Sequence, residues 1–211
     1  MAAKDGTDHA LERLVFFSDA VFAIAITLLI IEIHVPDLPR GSSDAAYLQA
    51  LANLTPSIMG YAVSFAVIGL FWAGHHRYFA LAVRQGPGIV AWNLMLLGSI
   101  AFMPFSTAFA SAHYWERVPT IFYCAMMLAT GLLNMKVGRI ATSPPMVDRS
   151  LPAEQIAYVR RRGVSVALGA TTALAVSFVA PSFGQGALIT IPLWRLALSK
   201  YAARRQMAAA A

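Results

Sequence analysis

The chain has 211 residues, of which 58% are hydrophobic and only 12% are charged, and its formal net charge is +6. Soluble domains carry about 25% charged residues, and a soluble helix needs a polar face that the long uncharged segments lack. The composition therefore predicts an all-α integral membrane protein and argues against a soluble domain. Because the positive charge lies at the predicted helix ends, we expect no nucleic-acid partner.

Six apolar segments are long enough to cross a membrane, which takes about 20 residues in a helix. Taken as one domain over the whole chain, the predicted spans are 10–35, 55–81, 89–111, 119–140, 159–179 and 186–204. Pro36 ends the first span, and Ser43 or Asp44 is suited to cap a short helix before the second. Pro104 lies inside the third span and predicts a kink there, and Pro192 lies inside the sixth.

Basic residues predict the orientation of these spans. The side of the N-terminus holds Lys4, Arg77, Arg84, Lys136, Arg139, Arg149, Arg160, Arg161, Arg162, Lys200, Arg204 and Arg205. The opposite loops hold only Arg40 and Arg117. Because cytoplasmic loops are enriched in Lys and Arg, we expect a multi-pass protein of the cell membrane with both termini in the cytoplasm. The basic run at 160–162 is either an orientation signal or a binding site for anionic membrane lipid.

The first span contains a polar pair, Ser18 and Asp19, inside its apolar run. An ionisable residue at the centre of a membrane helix costs about 2.5–3.5 kcal/mol on insertion scales. Such a residue therefore needs a partner. Arg13, about a turn and a half earlier, is one candidate.

Other polar residues are expected at the same membrane depth as Asp19. At the cytoplasmic ends of the second and third spans are Trp72, His75, His76, Arg77 and Asn93. A cluster of these groups would hold the first span against the second, and we favour that structural role over a proton relay. Adjacent His residues point to different sides of a helix, and neither His-Glu-x-x-His nor Cys-x-x-Cys occurs, so we predict no resident metal site.

A second pattern in the first span is a stripe of residues at steps of three and four. It consists of Arg13, Phe17, Ala20, Ile24, Thr27 and Ile31. If several copies of this face meet at an axis, Ile24 forms a hydrophobic ring that gates by dewetting, and Thr27 offers hydroxyl ligands to a cation. The alternative is that Thr27 bonds to its own helix and Ile24 faces lipid. Glu32, beyond the stripe, either forms an acidic outer vestibule or is a solvated helix end.

The sequence gives no support for catalysis or for a bound cofactor. It contains no Gly-x-Ser-x-Gly motif, no P-loop and no paired carboxylates within one span, and so we do not expect an enzyme. The re-entrant Thr-Val-Gly-Tyr-Gly filter of the usual potassium channels is also absent. Two other interpretations stay open: a proton-coupled transporter or proton leak that uses Asp19 and a His of the second span, and a membrane scaffold without a permeation path.

Three motifs together resemble the transmembrane protein 175 family of potassium channels, in particular its prokaryotic branch. They are Arg13-x-x-x-Phe17-Ser18-Asp19 with Ala-Ile-Ala-Ile-Thr-Leu-Leu at 23–29, Trp72-x-x-His75-His76, and the segment from Asn93 to Phe105. The resemblance extends over nearly the whole chain. It implies a homotetrameric, potassium-permeable leak channel that also passes other monovalent cations.

The resemblance also implies roles for individual residues. The first helix would line the pore, with its narrowest ring at Ile24, a further layer at Ile31 and a selectivity-determining hydroxyl at Thr27, where K⁺ binds only transiently. A network would hold this helix in place from behind. Its expected members are Arg13, Phe17, Ser18, Asp19, Trp72, His75, His76 and Asn93.

Overall fold

A computed structural model gives the backbone of residues 2–210 and the side chains of residues 9–204, 207 and 208. Every regular element in that part is helical, which confirms the predicted fold class. The helices are α1 (Ala2–Ile31), α2 (Asp44–Asn53), α3 (Thr55–Phe79), α4 (Ile89–Ala101), α5 (Met103–Ala112), α6 (Arg117–Ala141), α7 (Ala153–Val179), α8 (Pro181–Gly184) and α9 (Thr190–Ala210), with a 3-10 turn at Gly186–Ile189. The side chains of Lys4 and Arg205, two of the predicted orientation residues, lie outside the described part.

Five helical segments of the described residues are long and apolar enough to cross a membrane. They are His9–Ile31, Thr55–Phe79, Ile89–Ala112, Arg117–Ala141 and Ala153–Val179. These segments correspond to the first five predicted spans. The residues of the sixth predicted span are divided between the 3-10 turn and α9, which follow the short helix α8 and pack one after the other against α7. The total of six spans therefore stays a prediction.

Prolines explain where the observed helices depart from the predicted bounds. The first helix ends at Ile31 instead of residue 35 because the Pro36 ring would clash with the carbonyl of residue 32 in a continuous helix. The third span is broken into two helices rather than kinked, because α4 ends at Ala101 and Pro104 lies in the first turn of α5. Pro192 lies in the first turn of α9, where the helix leaves backbone N–H groups unpaired in any case.

Two other local predictions have different outcomes. Ser43 is the N-cap of α2, and its Oγ accepts a hydrogen bond from the Ala46 amide at 3.3 Å, as expected. The fifth predicted span begins six residues too late, because α7 starts at Ala153. Charged residues outside the membrane do not interrupt a helix whose backbone bonds are intact.

Close helix packing on the predicted cytoplasmic side depends on two glycines. The ring of Tyr78 in α3 lies against Gly138 in α6 and Gly163 in α7, and a Cβ at Gly138 would come within 2.5 Å of the ring. Tyr78 is 1% exposed. These glycines therefore allow α3, α6 and α7 to meet around one buried aromatic ring, while α1 packs separately against α3, α4 and α5.

Candidate functional site

The helix α1 has one buried face. Its members, spaced by three and four residues, are Leu11, Leu14, Ser18, Phe22, Ala25 and Leu29. This spacing is that of a single helical stripe, and the stripe packs against α3, α4 and α5. The packing fixes the rotation of α1 about its own axis, and it thereby decides which residues face away from the subunit.

The stripe singled out in the sequence lies on the other, exposed face of α1. Ile24 is 58% exposed, Ile31 is 66% exposed and Phe17 is 52% exposed. Arg13, Ala20 and Thr27 are also exposed. In the single subunit this largely apolar face is therefore left for lipid or for another copy of the chain.

The Thr27 hydroxyl forms the bond to its own helix that the sequence offered as an alternative. Its Oγ1 donates to the carbonyl oxygen of Ile24 at 2.9 Å. That bond uses the hydroxyl proton but leaves the lone pairs of the oxygen free to accept. The group is thus held as an acceptor on the exposed face, so this bond is compatible with cation coordination.

Asp19 is hydrogen-bonded to the indole of Trp72, which is one of its candidate partners. Nε1 of Trp72 donates to Oδ1 of Asp19 at 2.9 Å, across the contact between α1 and α3. Asp19 is half-buried, and Trp72 is 41% exposed, so this bond lies at the border between the two faces of α1. Within the described residues, no ion pair joins Arg13 to Asp19.

A second hydrogen-bond chain lies wholly inside the subunit. Ser18, His75 and Asn93 are each 0% exposed. Nδ2 of Asn93 donates to Oγ of Ser18 at 2.8 Å, and Oγ of Ser18 donates to the Leu14 carbonyl at 2.7 Å. Nε2 of His75 is 2.9 Å from Oδ1 of Asn93, and it is the donor because an amide oxygen only accepts. These hydrogen bonds therefore join α1, α3 and α4.

The chemistry of these bonds favours a structural role over a proton relay. The Asn93 amide stands between His75 and Ser18, and the Trp72 indole is the partner of Asp19; neither group titrates near neutral pH. A proton therefore has no continuous path of titratable groups from His75 to Asp19 along these bonds. Both sets of bonds instead fix α1 against its neighbours.

The remaining predicted site residues lie at the edge of this network or away from it. His76 is exposed and stacks on Trp72 with 5.7 Å between ring centroids, so the two adjacent His residues do face different sides of α3. Glu32 is half-buried in the turn that follows α1. Among the described residues, no group of three or more His, Cys, Asp or Glu side chains is arranged to hold a metal ion.

Comparison with known proteins gives the family of this chain. The sequence model described as "Endosomal/lysosomal potassium channel TMEM175" matches residues 13–104. A potassium channel of Chamaesiphon minutus is 36% identical over 134 residues, which are 62% of this chain and 66% of that relative. The crystal structure of a lysosomal potassium-selective channel TMEM175 homolog from the same organism matches with a TM-score of 0.76 and 28% identity, over 89% of this chain and 97% of that one. The chain belongs to the TMEM175 family.

The TMEM175 match contains every candidate site residue named above, from Arg13 to Asn93. The family also includes an endosomal/lysosomal proton channel of Gallus gallus, which is 36% identical over 99 residues, or 44% of this chain and 20% of that relative. The chain thus spans less than two thirds of the length of these two curated relatives. All three matched proteins are named as channels, and family membership confirms that the chain is not an enzyme.

Sequence reasoning missed a second buried polar group in this TMEM175 chain. Oγ1 of Thr107 donates to Oγ of Ser64 at 2.8 Å, and Oγ of Ser64 is 2.9 Å from the hydroxyl of Tyr123. The group joins α3, α5 and α6, and all three side chains are buried. The available signal was a hydroxyl residue within each of three apolar spans, because such groups hydrogen-bond between membrane helices.

Proposed function

We propose that this chain forms a homotetrameric channel in the cell membrane, permeable to potassium and, less readily, to other monovalent cations. Four copies of α1 line the pore, and ions cross passively down their electrochemical gradient. In this arrangement Ile24 forms the narrowest ring, Ile31 adds an outer layer, and Thr27 supplies oxygen ligands between them.

One observation carries this proposal: the exposed face of α1 is the stripe that contains Ile24, Thr27 and Ile31. The helix is held in that rotation by buried bonds from Ser18 and by the Trp72–Asp19 bond. A tetramer would bring four Thr27 hydroxyls together at one axis, whereas in lipid each would have no partner beyond its own helix. The names of the bacterial relatives support potassium as the permeant ion.

The physical basis of conduction would be partial dehydration. A ring of Ile side chains offers a cation no ligands, so water and ions cross it only when the ring is wide enough to stay wet. The next turn offers Thr27 oxygens, which replace part of the hydration shell lost at the constriction. Glu32 at the outer end would raise the local cation concentration, because acidic groups at a pore mouth attract cations.

The proposal includes six spans and two cytoplasmic termini. The sixth crossing would be made by the 3-10 turn and α9 in succession, antiparallel to α7, as the proximity of Gly169 to Ile191 suggests. Non-helical breaks are tolerated in membrane proteins where they are buried against other helices. The basic residues at the ends of α3, α6 and α7 support the orientation.

The test is a recording from purified protein in planar bilayers with potassium on one side and sodium on the other. We expect a current whose reversal potential favours potassium. Light scattering on the same sample should give a mass of four chains. Membranes that stay impermeable to potassium, or a particle that is not a tetramer, would contradict the proposal.

A second candidate function is proton conduction, which the names of the vertebrate relatives favour. The Nδ1 atom of buried His75 has no hydrogen-bond partner among the described residues, so this imidazole has a free proton-accepting site. A pH gradient in the absence of potassium and sodium distinguishes the two functions. Proton current that is lost in His75→Gln and kept in His76→Gln would favour this candidate.

A further inference from the structure

The basic run at residues 160–162 is divided by the fold into residues with different surroundings. The guanidinium of Arg160 donates to the Thr142 carbonyl at 3.0 Å, to Oγ1 of Thr142 at 2.7 Å and to Oγ of Ser143 at 2.8 Å. These groups follow the C-terminus of α6, so Arg160 caps that helix. Arg160 is therefore occupied by the protein itself, whereas Arg162 lines a separate cleft.

That cleft lies between α3, α6, α7 and α9 and has a volume of about 380 Å³. Three helices each contribute an arginine to it: Arg77 from α3, Arg162 from α7 and Arg195 from α9. Like charges that line one cleft repel each other. Among the described residues that line the cleft, none is Asp or Glu. An anion is the ligand that would relieve this repulsion.

One residue that lines the same cleft has a buried polar atom without a partner. This residue is Asn134 of α6, which is 2% exposed. Its Nδ2 donates to the Phe71 carbonyl at 3.4 Å, but its Oδ1 has no hydrogen-bond partner among the described residues. An unpaired buried acceptor is destabilising. A ligand hydroxyl that reached this atom from the cleft would remove that cost.

Arg77, Arg162 and Asn134 lie at nearly the same depth. Gly74 of α3 is next to Asn134, and Gly163 of α7 is next to the residue that follows Asn134. Arg77 is three residues beyond Gly74, and Arg162 immediately precedes Gly163, so both lie within about one turn of Asn134. This level is near the predicted cytoplasmic ends of α3 and α6, where lipid headgroups lie.

The other end of the cleft is apolar and points toward the membrane interior. Leu70 precedes Arg77 by about two turns, and Val166 lies about one turn from Arg162. Ile191 of α9, about one turn before Arg195, lines the same part of the cleft. The cleft thus has a cationic end at headgroup depth and an apolar end at acyl-chain depth.

We propose that this cleft is a binding site for an anionic phospholipid of the cytoplasmic leaflet. The lipid phosphate accepts hydrogen bonds from the guanidinium groups of Arg77, Arg162 and Arg195, and a headgroup hydroxyl donates to Oδ1 of Asn134. One acyl chain lies along the apolar end. Guanidinium groups suit this role because their planar N–H donors match phosphate oxygens.

The test compares phosphatidylglycerol with phosphatidylcholine of the same acyl chains, each titrated into the delipidated full-length protein and followed by native mass spectrometry. We expect the protein to bind phosphatidylglycerol at least tenfold more tightly than phosphatidylcholine. The double variant Arg162→Gln/Arg195→Gln should lose this preference. Arg149→Gln, which removes one exposed loop arginine outside the cleft, is the matched control and should keep it.

Three results would overturn the proposal: equal binding of the two lipids, unchanged preference in the double variant, or displacement of bound phosphatidylglycerol by millimolar inorganic phosphate. The last result would indicate a site for a free anion. If the double variant does not fold, Leu70→Trp takes its place, since Leu70 is 40% exposed and its replacement keeps every charge. We expect Leu70→Trp to weaken phosphatidylglycerol binding severalfold, and unchanged binding would refute the acyl-chain part. None of these measurements depends on ion conduction.

Discussion

The two faces of α1 differ in what their polar groups bond to. On the buried face, Ser18 also bonds to its own helix at Leu14, but it is joined through Asn93 to His75 and thereby to two other helices. On the exposed face, the hydroxyl of Thr27 bonds only to its own helix, and its neighbours are apolar. The buried face thus fixes the position of α1, and the exposed face is available for contacts outside the subunit. Substitutions on the first face should change folding, and substitutions on the second should change permeation.

The largest effect is expected from Asn93→Leu, which replaces the amide by an apolar group of similar size. The N–H of His75 then loses its acceptor inside the subunit, and we expect the free energy of unfolding to fall by about 1–3 kcal/mol. Denaturant titration in detergent measures this change. Asn53→Ala, at an exposed amide on α2, is the control and should have little effect. A stable Asn93→Leu protein with altered ion preference would assign Asn93 to the permeation path.

Ile24→Asn should act on conduction while leaving stability nearly unchanged. A polar ring stays wet where an Ile ring does not, so we expect single-channel conductance to rise severalfold. Ile30→Asn is the matched control, because Ile30 is also exposed but lies about 120° from Ile24 around the helix. Bilayer recordings in which both variants behave alike would exclude Ile24 as the constriction.

Asp19→Asn tests the border between the two faces. The amide oxygen still accepts the bond from Trp72, but a bond to a charged acceptor is stronger than one to a neutral acceptor. We expect a loss of stability of about 1 kcal/mol or less and a lower yield of tetramer in size-exclusion chromatography. A normal yield together with changed ion preference would instead place the Asp19 carboxylate in contact with permeating ions.

The smallest effect is expected from Thr27→Ala. Removing the hydroxyl oxygens should lower the potassium preference over sodium roughly twofold to fivefold, which corresponds to about 1 kcal/mol or less. Thr27→Ser keeps the oxygen and should keep the preference. Reversal potentials in mixed salts that do not move in Thr27→Ala would assign selectivity to another residue.

Much of the fold and of the network could be predicted from the sequence. Apolar length located five of the spans, and matched depth grouped Asp19 with Trp72 and Asn93 with Ser18. Helix ends were less predictable where a proline acts four residues away, as Pro36 does on α1. The choice of Trp72 over Arg13 as partner of Asp19 was also not predictable, because one candidate is a near neighbour along α1 and the other is expected at the same membrane depth.

The membrane character of this chain, its family and the residues of the stripe on α1 can all be read from the amino-acid sequence. These depend on composition and on spacing along one helix, which are local properties. The burial of one face of α1, the capping of α6 by Arg160, and the meeting of Arg77, Arg162 and Arg195 in one cleft follow from how the helices pack. Those relations depend on the packing of helices that are distant in the sequence, and no local pattern records which helices become neighbours.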